Sequence, residues 1–198
     1  MADSTSGGPR HGGCDTADMD GTRRPTTRTY TPMISNLEDL YYDQIRDLYS
    51  AETQLLEALP AMRDAASNGE LKEAITGHLA ETREQRDRLA NICSRHGVAP
   101  EGTTCEAMRG LVKEASIHAQ SVDPGDVRDA AIIACANRVE HYEIAGYGAA
   151  KAFAGVLGFN EDVDLLDQSI EEEGAADKKL TKIATGGLFA GGVNKAAV

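Results

Sequence analysis

The chain has no tryptophan, only three phenylalanines, and no run of about 18 apolar residues of the kind that crosses a bilayer. Without such a run, no membrane span is expected. The first residues also lack the apolar core of a signal peptide. Arg23-Arg24 is followed by proline and threonines, unlike a twin-arginine export signal. The expected address is the cytoplasm. The four cysteines, Cys14, Cys93, Cys105 and Cys135, form no C-x-x-C pair and no zinc-type spacing, so they read as reduced structural thiols.

Positive charge is scarce as well. Lys and Arg number 20 against 32 Asp and Glu, giving a net charge of -12. In residues 1–33 the arginines (Arg10, Arg23, Arg24, Arg28) balance the aspartates (Asp3, Asp15, Asp18, Asp20), so the whole excess lies in residues 34–198. An acidic body argues against nucleic acid or an anionic membrane as partner and favours cations.

What remains is rich in helix formers. Residues 1–33 have almost nothing to bury and read as a disordered tail. The bundle domain is expected over 34–185, opening on Ser35-Asn36-Leu37-Glu38 as a capping box. The first helix should run to about residue 66 with Leu37, Tyr41, Ile45, Leu48, Leu55, Leu59 and Met62 on one stripe. Pro60 should kink it or loosen its last turns. A second helix is expected over 70–96, ending near Gly97, and a shorter one through about Ala119, capped within Thr103-Thr104-Cys105-Glu106. Two more should span 126–157 and 161–184, the latter with Asn160 as N-cap. Residues 186–198 read as a loosely attached glycine-rich tail. Strand signals are missing. Two short-loop helical hairpins joined by a long crossover that carries a fifth helix describe an all-α four-helix bundle.

The stripes are interrupted by charge at one level. Glu52 occupies a core position of the first helix. His78, Glu81 and Gln85 do so in the second, Glu140 and Glu143 in the fourth, and Glu173 and Asp177 in the fifth. Glu52 pairs with Glu81 or Gln85, Glu140 with Glu173, and Glu143 with Asp177, each pair roughly equidistant from the intervening turn. They therefore share a layer as well as a face. Carboxylates three or four apart on a helix have Cβ atoms about 5–6 Å apart, the scale for gripping one ion or bridging two. Each isolated buried carboxylate costs several kcal/mol, and six would exhaust a total stability of roughly 5–15 kcal/mol. Divalent cations resolve the conflict. Oxygen ligands plus one imidazole suit iron first, with manganese or zinc as alternatives.

Around this set, Glu172 reads as solvated, His141 as an interhelix histidine, and Gln85 as an orienting group. Tyr41 and Tyr147 read as packing residues whose hydroxyls reach towards a ligand oxygen. Cys135 reads as a small buried hydrophobe. His11, His96 and His118 receive no role.

The segments Ala51-Glu52-Thr53-Gln54-Leu55, His78-Leu79-Ala80-Glu81-Thr82, Val139-Glu140-His141-Tyr142-Glu143 and Glu172-Glu173-Gly174-Ala175-Ala176-Asp177 resemble, in that order, the bacterial YciE/YciF family of ferritin-like proteins. Cys105-Glu106-Ala107-Met108 fits too, and the likeness covers roughly 35–185. The resemblance implies a stress-associated, rubrerythrin-like di-iron site with two metal ions per subunit and a homodimer. The metal set would be Glu52, Glu81, Glu140, Glu143, Glu173, Asp177 and His78, with peroxide or dioxygen as reactant. One departure is visible. The wider di-iron class places Glu-x-x-His on the second helix, whereas here the order is His78-x-x-Glu81, and the last helix offers no histidine. His78 as ligand and His78 as supporting hydrogen-bond donor both stay open. Two rivals also stay open: a non-catalytic, metal-stabilised dimer and an iron store.

Overall fold

The computed structural model describes residues 34–187 and 190–198, and the expected N-terminal tail, with Cys14 and His11, lies outside them. The chain forms α1 (Leu37–Ala65), α2 (Gly69–Arg95), α3 (Glu106–Ser121), α4 (Asp126–Leu157), α5 (Asn160–Thr185), a two-residue pairing of β1 (Gly186–Gly187) with β2 (Ala190–Gly191), and the short α6 (Val193–Ala196). Helices α1 and α2 form one hairpin and α4 and α5 the other, while α3, carried by the crossover, lies on α1 and α4. This is the all-α four-helix bundle that the periodicity predicts.

The helix starts differ from expectation by one residue, for a local reason. Asn36 caps α1, its side-chain oxygen accepting from the Asp39 amide at 2.8 Å, while the Ser35 amide and hydroxyl donate to the Asp39 carboxylate. The cap is therefore Asn36, whose side-chain oxygen takes the Asp39 amide, while the Asp39 carboxylate reaches back past it to Ser35 rather than to the cap's own amide. Glu38, its expected partner, accepts from Tyr42 instead. Phe159, not Asn160, is the N-cap of α5, and the Cys105 thiol caps α3 by accepting from the Met108 amide. Helix α1 continues through Pro60 to Ala65.

The interior divides in two. One apolar cluster holds Leu55, Leu59, Met62, Leu71, Ile75, Ile132, Ile133 and Leu180. The other holds Tyr41, Ile45, Leu48, Leu89, Ile92, Tyr147, Ala154 and Leu166. In sequence, each of α1, α2, α4 and α5 passes from one cluster to the other through the polar positions Glu52, His78 to Gln85, Glu140 to Glu143, and Glu173. Gly146 packs closely on α1 there. A Cβ on it would lie 2.9 Å from the terminal methyl of the Leu48 side chain, so a larger residue there would make that side chain shift. The C-terminal segment is docked rather than loose: α6 packs on α4 and α5, with Val193 buried in the first cluster.

Candidate metal centre

The four bundle helices send their polar stripe residues inward at one level. His78 from α2, Glu140 and Glu143 from α4, and Glu173 from α5 are all buried, and each offers a ligand atom within 4.8 Å of the others. Glu52 from α1 is fully buried beside them and accepts a hydrogen bond from the Tyr147 hydroxyl. Gln85, one turn from Thr82 on the same face of α2, donates its amide to Glu173. Behind this group Arg88 binds Ser169 and both oxygens of Glu172, so Glu172 is tied into an ion pair rather than simply solvated.

The donors available do not satisfy the acceptors. Glu52 Oε2, Glu140 Oε2, both oxygens of Glu143 and Glu173 Oε2 are buried without a hydrogen-bond partner, as are both ring nitrogens of His78. Buried polar groups normally find partners, and a buried charge without one costs several kcal/mol. Burial pushes the carboxyls of Glu52, Glu140 and Glu143 well above their usual range. For Glu52 and Glu140 the next cause is Glu173, and for Glu143 it is Glu52. Tyr147 is raised by burial and then by the Glu52 charge, so it remains a hydrogen-bond donor. Left to themselves, these acids would hold protons rather than charges.

Divalent cations fit this donor set. Four buried carboxylates, Glu52, Glu140, Glu143 and Glu173, carry four negative charges, and two divalent ions would carry four positive ones. The free lone pairs converge on one space, and carboxylate oxygen with one imidazole is a donor set suited to iron or manganese. His78 Nε2 stands 3.5 Å from Glu140 Oε1.

Two of the nominated residues stand apart from this cluster. The Glu81 side chain is about half exposed at 48%, with Oε2 3.7 Å from His78 Nδ1, and the His78 ring pulls its carboxyl below the usual value. Asp177 accepts from Asn137 at 2.6 Å and lies 3.4 Å from His141 Nε2. The buried residue on the α2 stripe at this level is Thr82, whose hydroxyl donates to the His78 carbonyl at 2.9 Å. His141 is largely exposed. Tyr41 reaches a different carboxylate from the one expected, donating to Asp162 at the far end of the bundle. That end also absorbs His96, a residue without an assigned role in the sequence, whose Nε2 lies 2.6 Å from Asp162.

An all-α bundle whose buried layer of glutamates and one histidine can hold metal is the class that fold and site define. Within it, the chain belongs to the family described as a domain of unknown function (DUF892), whose model matches residues 36–197. Over 164 residues the chain is 40% identical to Protein YciF of Escherichia coli K12, spanning 82% of this chain and 99% of that one. The crystal structure of that E. coli stress protein superposes with a TM-score of 0.73, covering 75% of this chain and 94% of the other. YcfI of Rhodopseudomonas palustris is 42% identical, with a TM-score of 0.75 over 78% of this chain and 99% of its own. The YciF resemblance read from the separated motifs is therefore correct. Among the described residues no helix is long and apolar enough to cross a membrane.

Proposed function

We propose that the protein is a ferritin-like dinuclear metal protein, with iron as its metal, that meets peroxide or dioxygen in a cytoplasmic stress response. The observation that supports this most directly is the set of unpartnered buried oxygens on Glu52, Glu140, Glu143 and Glu173 together with the unpartnered His78 ring. These five side chains hold the metals. Glu81 and Asp177, nominated with them in the sequence, stand at the edges and support the ring and the rim. Two ferrous ions bound there would supply the two electrons that cleave a peroxide O–O bond.

The chain's own contributions follow from geometry. Tyr147 keeps Glu52 oriented through its hydroxyl, and Gln85 does the same for Glu173. The two apolar clusters on either side keep bulk water from the carboxylate layer. That the E. coli relative is a stress protein fits this role. Anaerobic titration with Fe(II), followed by elemental analysis, should give two ions per chain, and the loaded protein should then consume peroxide. No uptake would sink the reading.

A second reading keeps the metals but removes the chemistry, making them a clip that holds a homodimer together. It is favoured by the depth of the cluster and by the three cysteines of the described region, Cys93, Cys105 and Cys135, which are all buried and offer no electron-donor module. In that case chelation would lower the melting temperature and dissociate the dimer in sedimentation, while peroxide would persist in the loaded sample.

A further inference from the structure

The two apolar clusters that flank the carboxylate layer are not packed alike. Ile45, Leu89 and Ile92 in one are fully buried, whereas Leu59, Met62, Ile75, Ala136 and Leu180 in the other keep 4–7% of their surface. That remnant lines a cavity of about 100 Å³ between α2, α4 and α5, under the last turns of α1. Protein interiors rarely keep such a space, because every wall atom facing it gives up dispersion contacts. The cavity reaches the layer, since His78 and Glu140 complete its lining. It opens to solvent at the exposed small residues Gly77 of α2 and Ala175 of α5.

The inner lining is hydrocarbon even at its polar residues. The His78 side chain is 8% exposed although both of its nitrogens are buried, so what it shows is carbon. Glu140 Oε2 is buried likewise. The charges of Glu81 and Lys179 stand at the solvent edge. A molecule inside therefore meets no hydrogen-bond partner. Water or hydrogen peroxide would leave its partners behind in bulk water, a cost that no wall atom offsets. A small molecule without hydrogen-bonding groups leaves nothing behind.

We propose that this cavity is a docking site for dioxygen beside the metal centre. The inference rests on the metal reading above and chooses between the two oxidants named there. Size agrees with it. An apolar cavity of about 150 Å³ stays dry and takes xenon or benzene, and the smaller space here suits a diatomic gas. Of the apolar gases dissolved in air-equilibrated water, dioxygen is the one that accepts electrons from ferrous iron.

The test uses the full-length protein loaded with zinc, which is redox-silent, under dioxygen pressure. Dioxygen is paramagnetic and speeds methyl proton relaxation where it dwells; nitrogen at the same pressure is the blank. The enhancement at Met62, Ile75 and Leu180 should exceed that at Ile45, Leu89 and Leu166 about fivefold, since close-packed side chains leave a gas no room there. Methanol, close to hydrogen peroxide in size and in its need for hydrogen bonds, should give no saturable shift at the same methyls. Ala136→Leu fills the space and should bring the enhancement at Met62, Ile75 and Leu180 down to that at Ile45, with helicity and zinc content kept. Ala136→Val carries the comparison if leucine prevents folding. In iron-loaded protein the folded variant should slow ferrous oxidation by dioxygen more than oxidation by hydrogen peroxide, at unchanged iron content. Equal enhancement in both clusters, saturable methanol binding, an enhancement that survives the filled cavity, or equal slowing with both oxidants would overturn the docking site. Enhancement confined to the cavity in a sample that takes up no zinc would leave the docking site standing and remove the metal reading.

Discussion

Asp129 and Asp162 are as deeply buried as Glu140 and Glu143, yet they do opposite work. Each oxygen of Asp129 accepts a backbone amide at 2.7 Å, from Ser67 and from Asn68, and so ties the α1–α2 turn to the start of α4. Asp162 accepts from Tyr41 at 2.9 Å, faces His96 Nε2 at 2.6 Å and Arg95 Nη1 at 3.2 Å, and joins three helix ends. The glutamates in mid-bundle have each other for neighbours and lone pairs left over. Burial is therefore not the mark of a site in this molecule. The mark is burial among other acids with no cation at hand, because Asp129 has both oxygens hydrogen-bonded and Asp162 Oδ1, though it accepts no hydrogen bond, has the Arg95 guanidinium at 3.2 Å, whereas this layer is left to something else.

The contrast is broken most forcefully from its satisfied side. Asp162→Ala would leave His96, Arg95 and the Tyr41 hydroxyl without their common acceptor and should cost about 3–5 kcal/mol, as breaking a buried pair does. For a domain of this size that lowers the melting temperature by roughly 10 °C. Metal content by elemental analysis should not change, since Asp162 is remote from the glutamate layer.

The unsatisfied side responds to chelation and to pH together. At a free metal concentration about 100 times Kd, removing the metal should cost about 2.7 kcal/mol at neutral pH, or roughly 5–10 °C in the thermal midpoint. The acids of Glu52, Glu140 and Glu143 are raised in the fold, so metal-free protein keeps their contribution fully below the unfolded value near 4.5. It loses that contribution as pH rises through the raised folded values. In chelator the midpoint should fall between pH 5 and pH 8, whereas the metal-loaded protein should hold or gain stability over the same range. Asp39 and Glu81, whose values are lowered, are ionised in both states above about pH 5.5 and do not blur that window. Parallel curves with and without chelator would remove metal from the account.

Glu143→Gln sharpens the comparison with one neutral isostere. In metal-free protein at pH 7.5 it removes the cost of protonating a buried acid that is ionised in the unfolded chain, so it should raise stability by about 1–2 kcal/mol. In loaded protein it removes one negative charge and one of two ligand oxygens and should weaken metal retention. The same change at a satisfied position, Asp129→Asn, should destabilise in either state, because one of two backbone amides loses its acceptor. Melts with and without chelator separate the four cases.

The layer was legible because four helices each break an apolar stripe at a position matched across a turn, a coincidence that chance placement rarely produces. What the pattern blurred was rotation about each helix. On α2 the buried positions run Leu71, Ala74 or Ile75, His78, Thr82, Gln85, Leu89, Ile92, so the step of three from His78 to Glu81 falls one residue short of the buried position, which Thr82 holds. On α5, position 177 lies to one side of the line from Glu173 to Leu180, and Asp177 ends half-covered with Asn137. The Asp162 cluster was illegible for a different reason. Its members come from three helix ends far apart in sequence, and nothing periodic connects Tyr41, His96 and Asp162. The α1 cap falls one residue later than the pattern suggests because serine and asparagine both cap well and only the turn geometry chooses between them.

The smallest expected effect tests where the line between centre and rim falls. Glu81→Gln and Asp177→Asn change two of the seven nominated side chains without changing their shape. Glu81 is about half exposed and holds only the outer nitrogen of His78, at 3.7 Å, so its removal should move stability by no more than about 0.5 kcal/mol. Asp177 is held by Asn137 and faces an exposed His141, so the loss there should also be within about 1 kcal/mol. In both variants the ratio of metal to chain should stay at two. A ratio falling to one in either variant would mean that the carboxylate swings inward when metal arrives, and that the ligand set extends to the rim. In that event charge matching by the four buried glutamates alone would no longer explain the stoichiometry. An unchanged ratio confines the ligands to Glu52, Glu140, Glu143, Glu173 and His78, and leaves Glu81 outside them, beside the His78 ring.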